Sequence, residues 1–220
     1  MKILLFGSSG MVGQGVLREC MASDEVDEVL TVVRRPLERI PAMKLRELRH
    51  CNYFNWADTT EEFRGVDACF FCIGESSVGK SEPEYRRVTY DMTLAVAQAV
   101  AQISPQAVFV YVSGAGTDAK ARSMWARVKG ATENALLGMP FRGVYCFRPG
   151  YIQPMDGVRS RVRWYNAIYA SLRWTYPVLR QVAPGAVTSS QAMARAMLRV
   201  AREGWPEHVL SSRAINALGA

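Results

Sequence analysis

Residues 1–13 read MKILLFGSSGMVG. Lys2–Phe6 is a short apolar run, and Gly7, Gly10 and Gly13 follow it at three-residue spacing. The continuation GQGVLRECMA, residues 13–22, puts Val12, Val16, Leu17 and Cys20 on one helical face. Strand, glycine turn and helix, in that order, set a dinucleotide pyrophosphate against a helix N-terminus. There the unpaired N–H groups and the positive end of the helix dipole meet negative charge. In such a site Gly7 makes the tight turn, Gly10 admits the phosphate close to the backbone, and Gly13 lets helix pack on strand. Ser9, Met11 and Val12 line the same turn. A helix-initiating turn without a ligand has the same spacing, so the glycines alone leave both readings open.

The chain has 220 residues, enough for a single large domain with a full core. Its 49% hydrophobic and 21% charged composition is that of a globular enzyme, and no run approaches the ~20 apolar residues of a membrane span. Five cysteines are mostly set in apolar runs, and the opening residues read as a strand rather than a secretory signal. The expectation is reduced thiols in a cytoplasmic protein. Cys69 and Cys72 form a C-x-x-C, but three-residue spacing on a strand sends them to opposite faces, so they read as core and not as a metal clamp. The net charge of +7 permits phosphorylated ligands, nucleic acid or anionic membranes and selects none of them.

Strand-like and helix-like patterns alternate. Glu28–Val33, Cys51–Asn55, Asp67–Ile73, Ala107–Val112 and Gly143–Phe147 read as further strands. Pro83–Ile103 and Ala119–Leu137 read as helices between them. This predicts an α/β, Rossmann-type, doubly wound parallel sheet over residues 1–152. Val158–Tyr176 and Ser189–Arg202 read as a helical elaboration over the carboxyl ends of the strands, and His208–Leu210 as a last short strand. The whole is expected to be one domain, with 153–220 as its substrate or lid region.

The end of the second strand discriminates between the nicotinamide dinucleotides. An NAD site puts an acid there for the ribose hydroxyls. Here stand Arg34 and Arg35, whose guanidiniums suit the 2′-phosphate of NADP, and NADP is favoured over NAD. A solvated basic loop reads the same way. Asp58 is a candidate contact to adenine or, equally, a cap for a helix starting near Thr59.

GSSGMVG, the FFCIG and YVSGAG strand ends, the WARVKG helix and FRPG together resemble the atypical short-chain dehydrogenase/reductases, near the branch of the Tat-interacting protein and its small bacterial relatives. The resemblance runs from Met1 to about Ile152. It implies a Rossmann domain that binds NADP(H), and a catalytic set of Ser or Thr with Y-x-x-x-K. In that set the tyrosine moves the carbonyl or alcohol proton, the lysine lowers its pKa and holds ribose, and the serine orients the substrate oxygen. Ser113 and Lys129 match, but Trp125 stands where the tyrosine belongs. An indole N–H donates a hydrogen bond and does not titrate near neutral pH. Tyr90, Tyr151 or water then become candidate proton sources, or the reaction needs no such acid, or the domain binds cofactor and signals without turnover. The resemblance also assigns Gly74 to the adenosine ribose, and Pro149 and Gly150 to the nicotinamide carboxamide.

Gly157–Val182 carries Arg159, Arg161, Arg163, Arg173 and Arg180 beside Trp164 and Trp174, with an apolar face from Val158 to Tyr176. It reads as a lid or interface helix, with peripheral membrane contact as the weaker alternative. No nucleic-acid motif and no membrane span are found. The expected partner is a small-molecule substrate, and a homo-oligomer stays open.

Overall fold

The computed structural model describes residues 1–37, 43–153 and 186–220. Lys2–Phe6 forms β1, buried from Ile3 onward because its alternating side chains feed two cores. Ile3 and Leu5 join one, Leu4 and Phe6 the other. Glu28–Val33 is β2, Leu45–Arg49 β3, Ala68–Phe71 β4, Val108–Val112 β5 and Gly143–Arg148 β6. Tyr151–Gln153 (β7) and Val187–Ser189 (β8) make a separate two-stranded parallel ribbon, and Val209–Ser211 is β9. The main sheet runs β3-β2-β1-β4-β5-β6-β9 with every neighbouring pair parallel. Strand order reverses at β1, and in such sheets ligands bind in the crevice at the carboxyl ends beside that switch point.

The helices are α1 (Met11–Ala22), α2 (Glu82–Arg86) continued through a π turn at Arg87–Asp91 into α3 (Met92–Ile103), α4 (Met124–Leu137), α5 (Ser190–Glu203) and α6 (Ser212–Leu218). One sheet face is covered by Val16, Leu17 and Cys20 of α1, Met193, Met197 and Val200 of α5, and Ile215 of α6. The opposite face is covered by Val96 and Val100 of α3, Leu136 of α4, and the loop aromatics Tyr53, Trp56 and Phe63. Gly15 seats α1 on α5, since a Cβ there would stand 2.7 Å from the Ser190 Cβ. The outer face of α5 carries Arg195, Arg199 and Arg202, paired with Glu19, Glu203 and Glu25. Ser189 caps α5 by accepting from the Ala192 N–H.

Several expectations need correction. The third strand is Leu45–Arg49, not Cys51–Asn55. Among the described residues LRELR pairs only with β2, so at the sheet edge it keeps Arg46, Glu47 and Arg49 in solvent, a charge pattern that suits an edge. Residues 51–55 form a loop instead, in which Tyr53 donates to the Val32 carbonyl (3.3 Å) and Trp56 Nε1 to the Tyr53 carbonyl (2.9 Å). The helix expected from Ala119 begins at Met124. Residues 118–119 cross α4 at Gly130, where a Cβ would lie 2.2 Å from the Ala119 nitrogen, so that segment packs across the helix rather than extending it. Asp58 is exposed and caps no helix among the described residues; the short 3₁₀ turn Thr60–Phe63 starts from Thr59. α5 and α6 lie on the α1 face, not over the strand ends, while Val158–Tyr176 and its arginines fall outside the described residues. Cys69 and Cys72 do separate, one into each core.

Gly13→Ala would place a methyl 2.1 Å from the Gly7 carbonyl oxygen, whereas a Cβ at Gly10 meets only that oxygen, at 3.3 Å. Gly13→Ala is expected to cost about 3 kcal/mol and Gly10→Ala under about 1 kcal/mol. Urea midpoints at constant slope check the contrast.

Candidate active site

The glycine turn is built by close backbone contacts. Gly7 leaves β1 at φ +83°, and a Cβ there would lie 2.8 Å from the Cys72 carbonyl carbon, because the turn passes against the end of β4. The Gly10 N–H donates to the Gly7 carbonyl at 2.9 Å. Buried Ser8 accepts a 2.6 Å hydrogen bond from Thr31, which ties the turn to β2. α1 then starts at Gly10 with no side-chain cap and no acid in its first turn. The Met11, Val12 and Gly13 amides have no partner among the described residues. This donor set fits a polyphosphate: aligned N–H groups, a positive helix end, and no carboxylate to repel the charge.

Beyond β2, Arg34 and Arg35 are exposed and form no ion pair among the described residues. Asp58 and Gly74 are exposed as well, and open space surrounds Gly74. The loop after Gly74 is closed by an ion pair between Glu75 and Lys80. After β6 the Pro149 carbonyl accepts from the Ala115 N–H (2.8 Å), joining the β5 and β6 loops. The Gly150 N–H donates to Ser212 Oγ (2.8 Å), and a Cβ at Gly150 would meet the Ala186 oxygen at 2.2 Å.

Ser113 follows β5 and is buried, with its hydroxyl 3.1 Å from that of buried Thr117. Lys129, on α4, is half-buried; its Nζ donates to the Val112 carbonyl (3.3 Å) and lies 5.4 Å from the centre of the Tyr111 ring. Burial lowers the Lys129 ammonium to about 8, partly offset by the Glu133 charge. Trp125, one turn earlier, lays its six-membered ring over the loop after β5, and a Cβ at Gly116 would touch it at 3.5 Å. The serine and lysine matches thus converge at the end of β5, with the indole packed beside them.

Three residues that the sequence reading passed over complete the centre. Thr117 partners Ser113. Glu133, 2% exposed, takes a forked grip from Arg148 at the end of β6: Nε at 3.0 and 3.1 Å, Nη2 at 2.5 Å. Arg148 stands in the FRPG motif, and Glu133 lies one helical turn after Lys129; that spacing was the available signal. The π turn at Arg87–Asp91 packs here too, its Thr89 carbonyl accepting from Thr93 (2.7 Å) and from Thr132 of α4 (3.4 Å).

With the site in view, comparison with known proteins is decisive at the family level. Residues 3–128 match the model of the NAD dependent epimerase/dehydratase family. The chain belongs to that family. Among similar curated proteins, "Protein fmp52, mitochondrial" of Emericella nidulans is 27% identical over 156 residues, 68% of this chain and 66% of the relative. "Protein FMP52, mitochondrial" of Saccharomyces cerevisiae is 24% identical over 159 residues, 71% and 67% of the two chains. The match to the Emericella nidulans relative thus spans just under two thirds of that protein. Their names overturn the cytoplasmic expectation, since these and further relatives are named as mitochondrial proteins. Among solved structures, a dTDP-glucose 4,6-dehydratase (DesIV double mutant) from Streptomyces venezuelae with NAD and DAU bound aligns at TM-score 0.67 and 16% identity, covering 99% of this chain and 80% of that one. MoeE5 in complex with UDP-glucose and NAD aligns at 0.64 and 17%, covering 98% and 79%. At those identities they show the Rossmann-like fold.

Arg148→Met would leave the buried Glu133 carboxylate without its partner and is expected to cost about 3 kcal/mol in urea unfolding; adding Glu133→Gln should recover part of it. For Lys129 the lowered folded pKa means that the unfolded chain binds more protons between about 8 and its ordinary value. Lys129→Met should therefore stabilise the fold most below pH 8, with the gain fading as pH rises toward the ordinary lysine value. Thermal melts across that range read the sign.

Proposed function

We propose that this protein is an NADP(H)-dependent oxidoreductase acting on a small carbonyl or alcohol. The observation that carries this reading is the pair Arg34–Arg35, exposed at the carboxyl end of β2 with no ion-pair partner among the described residues and no acid at the discriminating position. Bound here, the dinucleotide would supply reversible two-electron chemistry. The α1 amides at Met11, Val12 and Gly13, with Gly7, Ser9 and Gly10 shaping the turn, would hold its pyrophosphate. Arg34 and Arg35 would hold the 2′-phosphate with charge-assisted bonds. Asp58 and Gly74 would border the adenosine half, and Pro149 and Gly150 the nicotinamide half. Ser113, backed by Thr117, would orient the substrate oxygen, and Lys129 would face the same point. Trp125 adds bulk and a hydrogen-bond donor.

Trp125 also favours a second reading, a cofactor-sensing module in which the same pocket binds NADP(H) without turnover. Calorimetry with NADPH and NADH tests the first claim. NADPH should bind more tightly, and Arg34→Asp with Arg35→Ala should weaken NADPH roughly 10-fold or more beyond any effect on NADH. Equal weakening of both would refute the 2′-phosphate assignment. NADPH oxidation against a panel of aldehydes and ketones separates the readings; tight binding with no turnover by wild type or Trp125→Tyr selects the sensor.

A further inference from the structure

The end of β5 poses a chemical problem: where does a proton come from? Trp125 does not titrate near neutral pH, and Ser113 and Thr117 are hydroxyls. Burial holds the Tyr111 phenol well above its ordinary range, and that of Tyr85 above its own. Tyr90 lies under the Arg86 guanidinium at 3.9 Å, and the Tyr151 hydroxyl donates to Gln153 (3.0 Å). Lys129 remains, its Nζ on the carbonyl of the residue before Ser113. Glu133, the nearest acid on its own helix, gives both oxygens to Arg148, and no carboxylate among the described residues forms an ion pair with Lys129. The Tyr111 ring of β5 lies 5.4 Å from the Lys129 Nζ. One step further out, Tyr85 of α2 and Cys146 of β6 act on Tyr111, while Cys146 and Asp118, from the loop before α4, act on Arg148.

Resting on the oxidoreductase reading above, we propose that Lys129 gives and takes the proton at the substrate oxygen, and that Arg148 is the positioning residue that keeps the Glu133 carboxylate from pairing with it. In the reducing direction a reduced nicotinamide dinucleotide would serve as the two-electron reductant and leave oxidised. Its hydride would form a C–H bond at the carbonyl carbon as the carbonyl π pair moves onto oxygen. One Nζ–H bond of the Lys129 ammonium breaks, its electron pair stays on nitrogen, and an O–H bond forms. Alkoxide and ammonium become alcohol and amine, and solvent returns the proton to Lys129. Oxidation reverses the step, with neutral Lys129 as acceptor. A free Glu133 would hold the proton on Lys129 and spoil both directions. The Lys129 ammonium at about 8 agrees with this role.

The test follows Lys129 directly. Wild type, Arg148→Met and the double variant Arg148→Met/Glu133→Gln are reductively methylated with ¹³C and titrated by NMR, the Lys129 signal being identified by its loss in Lys129→Arg. The expected midpoint is near 8 in wild type, at least about one unit higher in Arg148→Met, and back at or below the wild-type value in the double variant. Arg148→Lys, which keeps the charge but loses the fork, should also shift upward and serves if Arg148→Met does not fold. NADPH oxidation with the carbonyl panel should show a pH limb at the same midpoint that moves with Arg148→Met, and Lys129→Arg should lower turnover about 100-fold or more. A midpoint near 10 in wild type, a midpoint that ignores both Arg148 variants, or turnover without the limb overturns the proposal, as does the absence of any turnover. If NADPH binds while Lys129 titrates as an ordinary lysine, only the proton role falls. If NADPH does not bind, the oxidoreductase reading falls, whatever the Lys129 midpoint.

Discussion

Backbone meets backbone at Gly7, Gly13 and Cys72, and the rest of the site depends on that contact. Side chains at Gly7 or Gly13 would collide with the Cys72 carbonyl or the Gly7 carbonyl, so the two glycines let β1, β4 and the first turn of α1 converge. Convergence puts the uncapped amides of α1 at the carboxyl edge of the sheet, beside the topological switch point. Ser8 and Thr31 lock the same turn to β2, and so set Arg34 and Arg35 on the same edge.

A second constraint is electrostatic. Glu133 is buried on α4 and is tolerated because Arg148 reaches it from β6 with a forked grip. Such a pair adds little net stability against an apolar alternative, yet losing one partner is costly. It fastens α4 to the sheet and fixes which acid Lys129 does not pair with among the described residues. The glycine-bearing loop after β5 leaves room for the Trp125 ring, so the residue that replaces a tyrosine is accommodated by its surroundings.

Much of the fold was legible in the chain because buried parallel strands are apolar on both faces. Lys2–Phe6, Glu28–Val33 and the runs around Ala68–Phe71, Val108–Val112 and Gly143–Arg148 announce themselves in that way. Leu45–Arg49 did not, since an edge strand carries charge and looks like a loop. α6 has seven residues and hid for want of length, and the π turn left the helical periodicity around it intact. Family resemblance led to Ser113 and Lys129. Thr117 and the Glu133–Arg148 pair escaped, because a hydroxyl or an acid on a helix gives no local sign that it is buried.

What the sequence by itself determined is the strand–turn–helix opening, the alternating order that makes the sheet parallel, the arginines after the second strand, and the tryptophan in place of a tyrosine. Each follows from residue type, spacing or motif position, which are local properties. Tertiary structure alone decided the lysine's electrostatic setting. Lys129 and Glu133 are one helical turn apart, a spacing at which opposite charges meet on an isolated helix. Only the approach of β6 brings Arg148 to the carboxylate and leaves the lysine half-buried beside Val112 and Tyr111. Charge in a folded protein is set by neighbours distant in sequence, because burial and Coulomb attraction act through space.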